Sequence, residues 1–467
     1  MIAAQRLPQT LKLLHGLGAV AYGIKDNGFS VFLLIFYNQV MGLDAALVGT
    51  VIMAALIFDA FADPIIGELS DRTQSRWGRR LPWLYFGAVP VGIAWMLLWH
   101  PPVLSHQGTV AWLFATALLT RFLVAICEVP SISLVPEITH DYDERTVLMR
   151  YRFLFAWAGG LLILMLAYGL FFAGPNGISD PAGYNAYAIC GALMISGSVL
   201  ISALGQHRYV AKQSPPPRAA HGLRQAISEM RETLSNRAFL LLISAALFGL
   251  INQGITFALS NYLLVYLWQI ERIQMLYYAI LLFVSVIIAF ALVPPVAKRF
   301  GKKGGALGLG LAALLINTAL YACWLLDLIP GGPSNPSTPF MFSFVLFSNS
   351  AAIGMMILTN SMMADVVEAS QAETGRRSEG LFFAGYFFMQ KCAVGIGTFV
   401  AGMILSFAVF PQKAIPGKVD IAVLDRLASL NMVALLIIGF AGLAILRHFP
   451  ITREDHEQRV RALNAAA

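Results

Sequence analysis

Apolar runs of bilayer length recur from one end of this chain to the other, and few folds are compatible with that pattern. About twenty consecutive apolar residues cross a hydrocarbon core. Runs of this kind lie near residues 13–41, 46–69, 82–100, 109–134, 153–173, 185–205, 238–267, 273–297, 305–327, 340–363, 380–410 and 423–447. In lipid a helix satisfies its own backbone hydrogen bonds, whereas an open strand edge cannot. The expected fold is therefore an all-α membrane protein of about twelve transmembrane helices. With 58% hydrophobic and only 12% charged residues over 467 positions, the chain matches no soluble class. Residues 1–12 lack the ordered segments of a cleaved signal peptide, so the first helix is expected to be the targeting signal.

The net charge of +7 is not read as a nucleic-acid footprint, because the cations cluster in alternate loops. Arg72 to Arg80, Arg145 to Arg152, His207 to Arg237, Lys298 to Lys303 and Arg376 to Arg377 are basic; the intervening loops hold few charges except Lys413 to Arg426. The positive-inside rule then puts both termini in the cytoplasm of a cell inner membrane. Cys127, Cys190, Cys323 and Cys392 all fall in apolar runs without a Cys-x-x-Cys pair, so neither a metal site nor a disulfide framework is signalled.

The longest basic loop holds Pro215, Pro216 and Pro217, then a stretch with helical patterning at Leu223, Ile227, Met230 and Leu234. Cutting there gives an N-terminal six-helix bundle (1–205), a linker with a surface helix (206–236), a C-terminal six-helix bundle (237–450) and a cytoplasmic tail (451–467). The basic turn after the second run has an echo after the eighth, Ala297-Lys298-Arg299-Phe300-Gly301-Lys302-Lys303. Two six-helix halves in parallel repeat with a binding site at the bilayer midplane are a transporter architecture. No filter loop argues for a channel, and no nucleophile-elbow, zinc or dinucleotide motif argues for an enzyme or a bound cofactor.

Ionisable residues inside these runs are costly and mark candidate sites. Asp59 and Asp63 are one helical turn apart on one face. They either hold a cation, Na⁺ or H⁺, or neutralise a buried Arg or Lys. Lys25 and Asp26 are adjacent in the first run, so at most one of them faces a cavity squarely; Asp26 is the substrate candidate, and Lys25 either joins it or neutralises an acid. Arg121 and Glu128 share a face of the fourth run, either as an internal ion pair or as a cavity wall. Arg152 opens the fifth run, and by position alone is a cytoplasmic flank. Lys391 lies deep in the eleventh, too far from either end to snorkel easily. Tyr386 and Asn252 are further substrate-binding candidates. Arg76, Arg79 and Arg80 are expected to bond to acids such as Asp141 and Glu144 as a gate that opens and closes.

An ordered set of short motifs carries a resemblance: Tyr22-Gly23-Ile24-Lys25-Asp26, Asp59-Ala60-Phe61-Ala62-Asp63-Pro64, Ser70-Asp71-Arg72-Thr73, Arg76-Trp77-Gly78-Arg79-Arg80, Leu134-Val135-Pro136-Glu137, Asp141-Tyr142-Asp143-Glu144-Arg145, Ala364-Asp365-Val366-Val367-Glu368 and Arg377-Ser378-Glu379-Gly380. The chain resembles the glycoside-pentoside-hexuronide:cation symporters of the major facilitator superfamily, the family that includes the melibiose permease. The resemblance implies an alternating-access symporter for a sugar or glycoside-like solute, working as a monomer among membrane lipids, with co-transported H⁺ or Na⁺ and no cofactor. It implies that Asp59 and Asp63 bind the cation, and that Asp26, Glu128, Arg152 and Lys391 line the substrate and coupling site. Where the family pattern has a sodium-coordinating Asn and Thr this chain has Ala62 and Ala125, and where it has a sugar-stacking Trp this chain has Ile132. The first departure favours H⁺ over Na⁺. The second keeps an amphipathic lipid, such as a lysophospholipid, as the alternative substrate. A non-transporting membrane receptor or enzyme is the remaining class.

Overall fold

The computed structural model describes residues 7–139, 141–174, 177–210, 236–332, 335–374 and 379–450, and among them every regular element is helical. The expected linker beyond residue 210, the tail from 451 and the pair Arg376 and Arg377 lie outside the described residues. The chain divides into two compact units, residues 1–218 and 219–467.

The first unit contains α1 (Gln9–Val40), α2 (Ala45–Arg72), α3 (Leu81–Trp99), α4 (His106–Ile138), α5 (Glu144–Phe171) and α6 (Pro181–Val210). The sixth run thus continues helical five residues past its expected end, because Gln206 is buried and bonded rather than solvated. Caps start the helices as the sequence requires: Asp44 accepts from the Leu47 amide and Ser105 from the Gly108 amide. On α2, Phe58, Phe61, Ile65 and Leu69 form an exposed apolar stripe, and Ala55, Asp59, Ala62, Ile66 and Ser70 are buried. For a membrane helix this is the expected division between an apolar outer face and a packed inner one. α1 packs on α5 without side chains between the backbones: a Cβ on Gly23 would stand 1.9 Å from the Ala156 carbonyl oxygen. At the end away from the basic turn, Phe32, Phe36, Trp95, Trp99, Tyr184 and Tyr187 close the bundle in an aromatic cluster with centroids 4.6–5.8 Å apart.

The second unit contains α7 (Arg237–Leu267), a 54-residue helical stretch Arg272–Leu325, α10 (Thr338–Val367, running on to Thr374), α11 (Ala384–Phe407) and α12 (Ile421–Leu446). The long stretch would measure roughly 80 Å if straight, well beyond a bilayer. It is broken at Gly301, whose φ of +71° no other residue type adopts cheaply. Residues 272–300 and 302–325 are therefore two legs, α8 and α9. Eleven described helices are long and apolar enough to cross a membrane, and this one supplies two crossings.

Each unit repeats the other's internal plan. The first helix of each ends in a π-helical turn, Phe36–Val40 and Leu263–Leu267. α1 packs on α5 and α7 on α11, the latter again through glycines, since a Cβ on Gly397 would meet the Ile251 carbonyl oxygen at 2.5 Å. Gly78 (φ +86°) and Gly301 (φ +71°) occupy matching places in the two basic turns.

Candidate functional site

The first unit gathers its buried charges from α1, α2, α4 and α5. Because consecutive residues on a helix diverge by about 100°, Lys25 turns into the bundle and Asp26 turns out, with 3% and 64% of their side chains accessible. The Lys25 Nζ still reaches both acids beside it, standing 2.9 Å from Asp26 Oδ1 and 3.1 Å from Glu128 Oε2. Asp59, on the buried face of α2, accepts from Arg121 Nη2 on α4 at 2.5 Å, and each of these side chains is only 3% accessible. Arg121 Nη1 lies 3.9 Å from Asp26 Oδ1, which joins the two pairs into one network. The face of Arg121 is completed by the ring of Phe29, 5.1 Å from the guanidinium carbon.

The internal pair of Arg121 with Glu128 does not form. Seven residues of helix separate the two by roughly 10 Å of rise, and each finds a nearer partner on a neighbouring helix. Arg152 is not a solvated flank: it is buried, donates from Nη1 to Ser131 Oγ at 2.7 Å and lies over the Tyr22 ring at 5.6 Å. Glu128 is within its electrostatic reach. Asp63 is half-buried one turn beyond Asp59. Pro64 follows it and Pro130 lies two residues beyond Glu128, both inside helices. Lacking an N–H, each proline leaves the carbonyl four residues earlier, at Ala60 and Ile126, without its helical donor. Ala62 and Ala125 pack together in a small apolar cluster with Ile66, so no side-chain oxygen enters the network at those two positions.

The basic turn bonds differently from expectation. Arg79 Nη2 and Arg80 Nε both donate to Glu137 Oε1, at 2.6 and 2.8 Å, and Arg80 Nη2 donates to Asp71 Oδ1 at 2.5 Å. Arg76 lies over the Trp77 ring instead. Asp141 caps α5 by accepting from the Glu144 amide, and Glu144 pairs with Lys12 at 2.7 Å. Both acids are therefore engaged away from the turn. Glu137 was overlooked as a partner although it stands in the Leu134-Val135-Pro136-Glu137 motif; an acid right after a proline near the end of a basic-flanked helix was the available signal. In the second unit the corresponding bond joins Lys302 Nζ to Asp365, 2.6 and 2.8 Å from its two oxygens.

The second unit's candidates are dispersed. Asn252 donates from Nδ2 to the Leu435 carbonyl at 3.2 Å, tying α7 to α12. Tyr386 is buried beside Phe387 on α11, and Lys391 is half-buried further along the same helix.

The family described as MFS/sugar transport protein matches residues 14–453. The uncharacterised symporter sll1374 of Synechocystis sp. is 27% identical, with 99% of this chain and 98% of that protein covered. The putative glycoside/cation symporter YagG of Escherichia coli is 26% identical over 88% of this chain and 85% of its own length. The sodium-dependent lysophosphatidylcholine symporter 1-B of Danio rerio is 25% identical, over 98% and 90%. Among solved structures, the inward-open xylose transporter XylE from E. coli superposes with a TM-score of 0.60 at 16% identity, covering 97% of this chain and 98% of that one.

Proposed function

Because this chain belongs to the MFS/sugar transport protein family, among the glycoside-pentoside-hexuronide:cation symporters of the major facilitator superfamily, we propose that it couples one cation, H⁺ in preference to Na⁺, to the transport of a sugar or glycoside-like solute by alternating access. The observation that carries this reading is the buried charge network of the first unit, in which Lys25 stands 2.9 and 3.1 Å from Asp26 and Glu128, and Arg121 stands 2.5 Å from Asp59 and 3.9 Å from Asp26. Asp63, half-buried one turn along α2 from Asp59, is the member of the pair to which this reading gives the transported cation. A proton needs only one basic carboxylate, whereas Na⁺ needs several oxygens; Ala62 and Ala125 supply none from their side chains.

In this reading the exposed carboxylate of Asp26, with Glu128 and Arg152 behind it, takes the solute's hydroxyls, and Lys391, Tyr386 and Asn252 are the second unit's candidates for the same role. The protein works as a monomer with both termini in the cytoplasm of a bacterial-type inner membrane, and carries no cofactor. The test is uptake into proteoliposomes of the purified chain, screened over sugars, glycosides and sugar acids, with imposed pH or Na⁺ gradients. A pH gradient alone should drive accumulation. Steep Na⁺ dependence at fixed pH, with no proton movement, would overturn the proton assignment and call for backbone oxygens such as that of Ala60.

A second reading has its own observation. Ile132, where the family's aromatic platform would stand, is 41% exposed, and a relative is named for lysophosphatidylcholine. Saturable binding of a lysophospholipid, with none of any sugar, would decide for that substrate class.

A further inference from the structure

Beside the basic turn, and apart from the charge network, the first unit carries a groove of about 600 Å³ lined by Trp77, Tyr85, Phe86, Leu204, His207 and Arg208. It lies where α3 begins and α6 ends, so it falls at one membrane interface. Its two ends differ in chemistry. At the water side, Trp77 packs edge to face on Tyr85 and His207, which are tilted on each other, with centroids 5.5–6.1 Å apart. The Tyr85 hydroxyl donates to the Ala203 carbonyl at 3.2 Å and lies 3.0 Å from His207 Nδ1, which fixes the imidazole. Arg208 is exposed on the rim, and the exposed Arg76 stands over the Trp77 ring, 5.5 Å from its centroid. Among the described residues neither arginine makes an ion pair, whereas Arg79 and Arg80, three and four residues beyond Arg76 in the same turn, are both bonded to Glu137.

At the lipid side, Phe86 and Leu204 are 74% and 58% exposed, and each begins an exposed apolar stripe along its helix: Phe86, Val89 and Ile93 on α3, and Leu204, Ile201 and Leu193 on α6. An aromatic collar topped by cations and continued by apolar stripes is matched by a glycerophospholipid with an anionic headgroup. The phosphodiester would meet Arg208 and Arg76, the glycerol would rest on Trp77, Tyr85 and His207, and the acyl chains would run down the two stripes. We propose that this groove is a binding site for one anionic phospholipid, seated against the turn that carries Arg79 and Arg80. The assignment to the cytoplasmic leaflet rests on the orientation proposed above; the site itself does not.

The test uses the purified full-length chain and native mass spectrometry. Palmitoyl-oleoyl phosphatidylglycerol is titrated against the phosphatidylcholine of the same chains, with inorganic phosphate as competitor. One phosphatidylglycerol should bind in clear preference to phosphatidylcholine. Arg208→Gln should weaken it about fivefold, and Arg76→Gln with Arg208→Gln about twenty-five-fold, at roughly fivefold per cation near a lipid surface. Phosphatidylcholine binding should be unchanged, as should the melting temperature without lipid, since both side chains are exposed. Millimolar phosphate should not displace the lipid. Equal binding of the two lipids, full affinity in the double variant, or displacement by phosphate would each overturn the proposal, the last by showing a free-anion site. None of these readouts depends on transport, so they stand apart from the outcome of the uptake screen.

Discussion

Arg121 and Asp59 allow the cation-site carboxylates to be told apart by experiment. Both side chains are 3% accessible and their contact is 2.5 Å, so removing Asp59 leaves Arg121 buried without its nearest counter-charge, with Asp26 next at 3.9 Å. Breaking a buried pair in this way typically costs about 3–5 kcal/mol, whereas replacing both partners by neutral groups costs little. Asp59→Asn keeps one oxygen for the guanidinium, which puts it toward the lower end of that range. The expected order of apparent melting temperatures in detergent is therefore wild type above Asp59→Asn, with Asp59→Asn plus Arg121→Gln recovering most of the loss. In the same preparations, Asp63→Asn should abolish accumulation against a gradient while exchange of labelled solute persists, because it removes the differential affinity for the cation and leaves the solute groups in place. If Asp59→Asn melts with the wild type, Arg121 is compensated elsewhere and its bond to Asp59 does not separate the roles of the two carboxylates. If Asp63→Asn still accumulates solute on a pH gradient, Asp63 is not the carrier.

Glu137→Gln takes the shared acceptor from Arg79 and Arg80; turnover in proteoliposomes should change severalfold while equilibrium substrate binding stays within about twofold, and unchanged turnover would remove the gating role. Gly23→Ala puts a methyl 1.9 Å from the Ala156 carbonyl oxygen, which α1 and α5 can relieve only by separating. The expected cost is about 1–3 kcal/mol, read as a lower melting temperature, and a variant as stable as wild type would show that the two helices do not meet there. Asn252→Leu removes the bond to the Leu435 carbonyl. A loss of stability with unchanged solute affinity would make Asn252 a helix tie, and a loss of affinity at wild-type stability would make it a substrate ligand.

The helical class and the crossings were legible because lipid leaves the backbone so few alternatives. The break between the eighth and ninth crossings was expected as a loop; it is instead a single left-handed glycine, and nothing in the hydropathy of residues 297–305 distinguishes the two. The charged residues were likewise legible as a set, since each is costly in an apolar run. Their partners were not. Helical periodicity says which residues share a face of one helix but not which helix lies opposite, so Arg121 is left in the sequence between an ion pair with Glu128 on its own helix and a cavity wall, and its partner in the structure is Asp59 on α2. Lys25 was left between a substrate role and an acid partner; with two carboxylates within 3.1 Å, it neutralises acids.

The same limit applied to the basic turns, where acids such as Asp141 and Glu144 are the expected partners and Glu137, nearer in sequence than either, is the observed one. Here the repeat would have helped. Arg79 directly follows the left-handed Gly78 and bonds to Glu137 at the end of α4; Lys302 directly follows the left-handed Gly301 and bonds to Asp365 on α10, the fourth helix of its own unit. A cation placed by a glycine turn after the second helix, closed onto an acid of the fourth, is thus one device used twice. Each copy closes within its own unit, so each basic turn holds its own second and fourth helices together. Any gating bond that forms and breaks during the cycle must then either exchange these partners or draw on cations that have none of them, and Arg76 is the member of the first turn left over for that exchange.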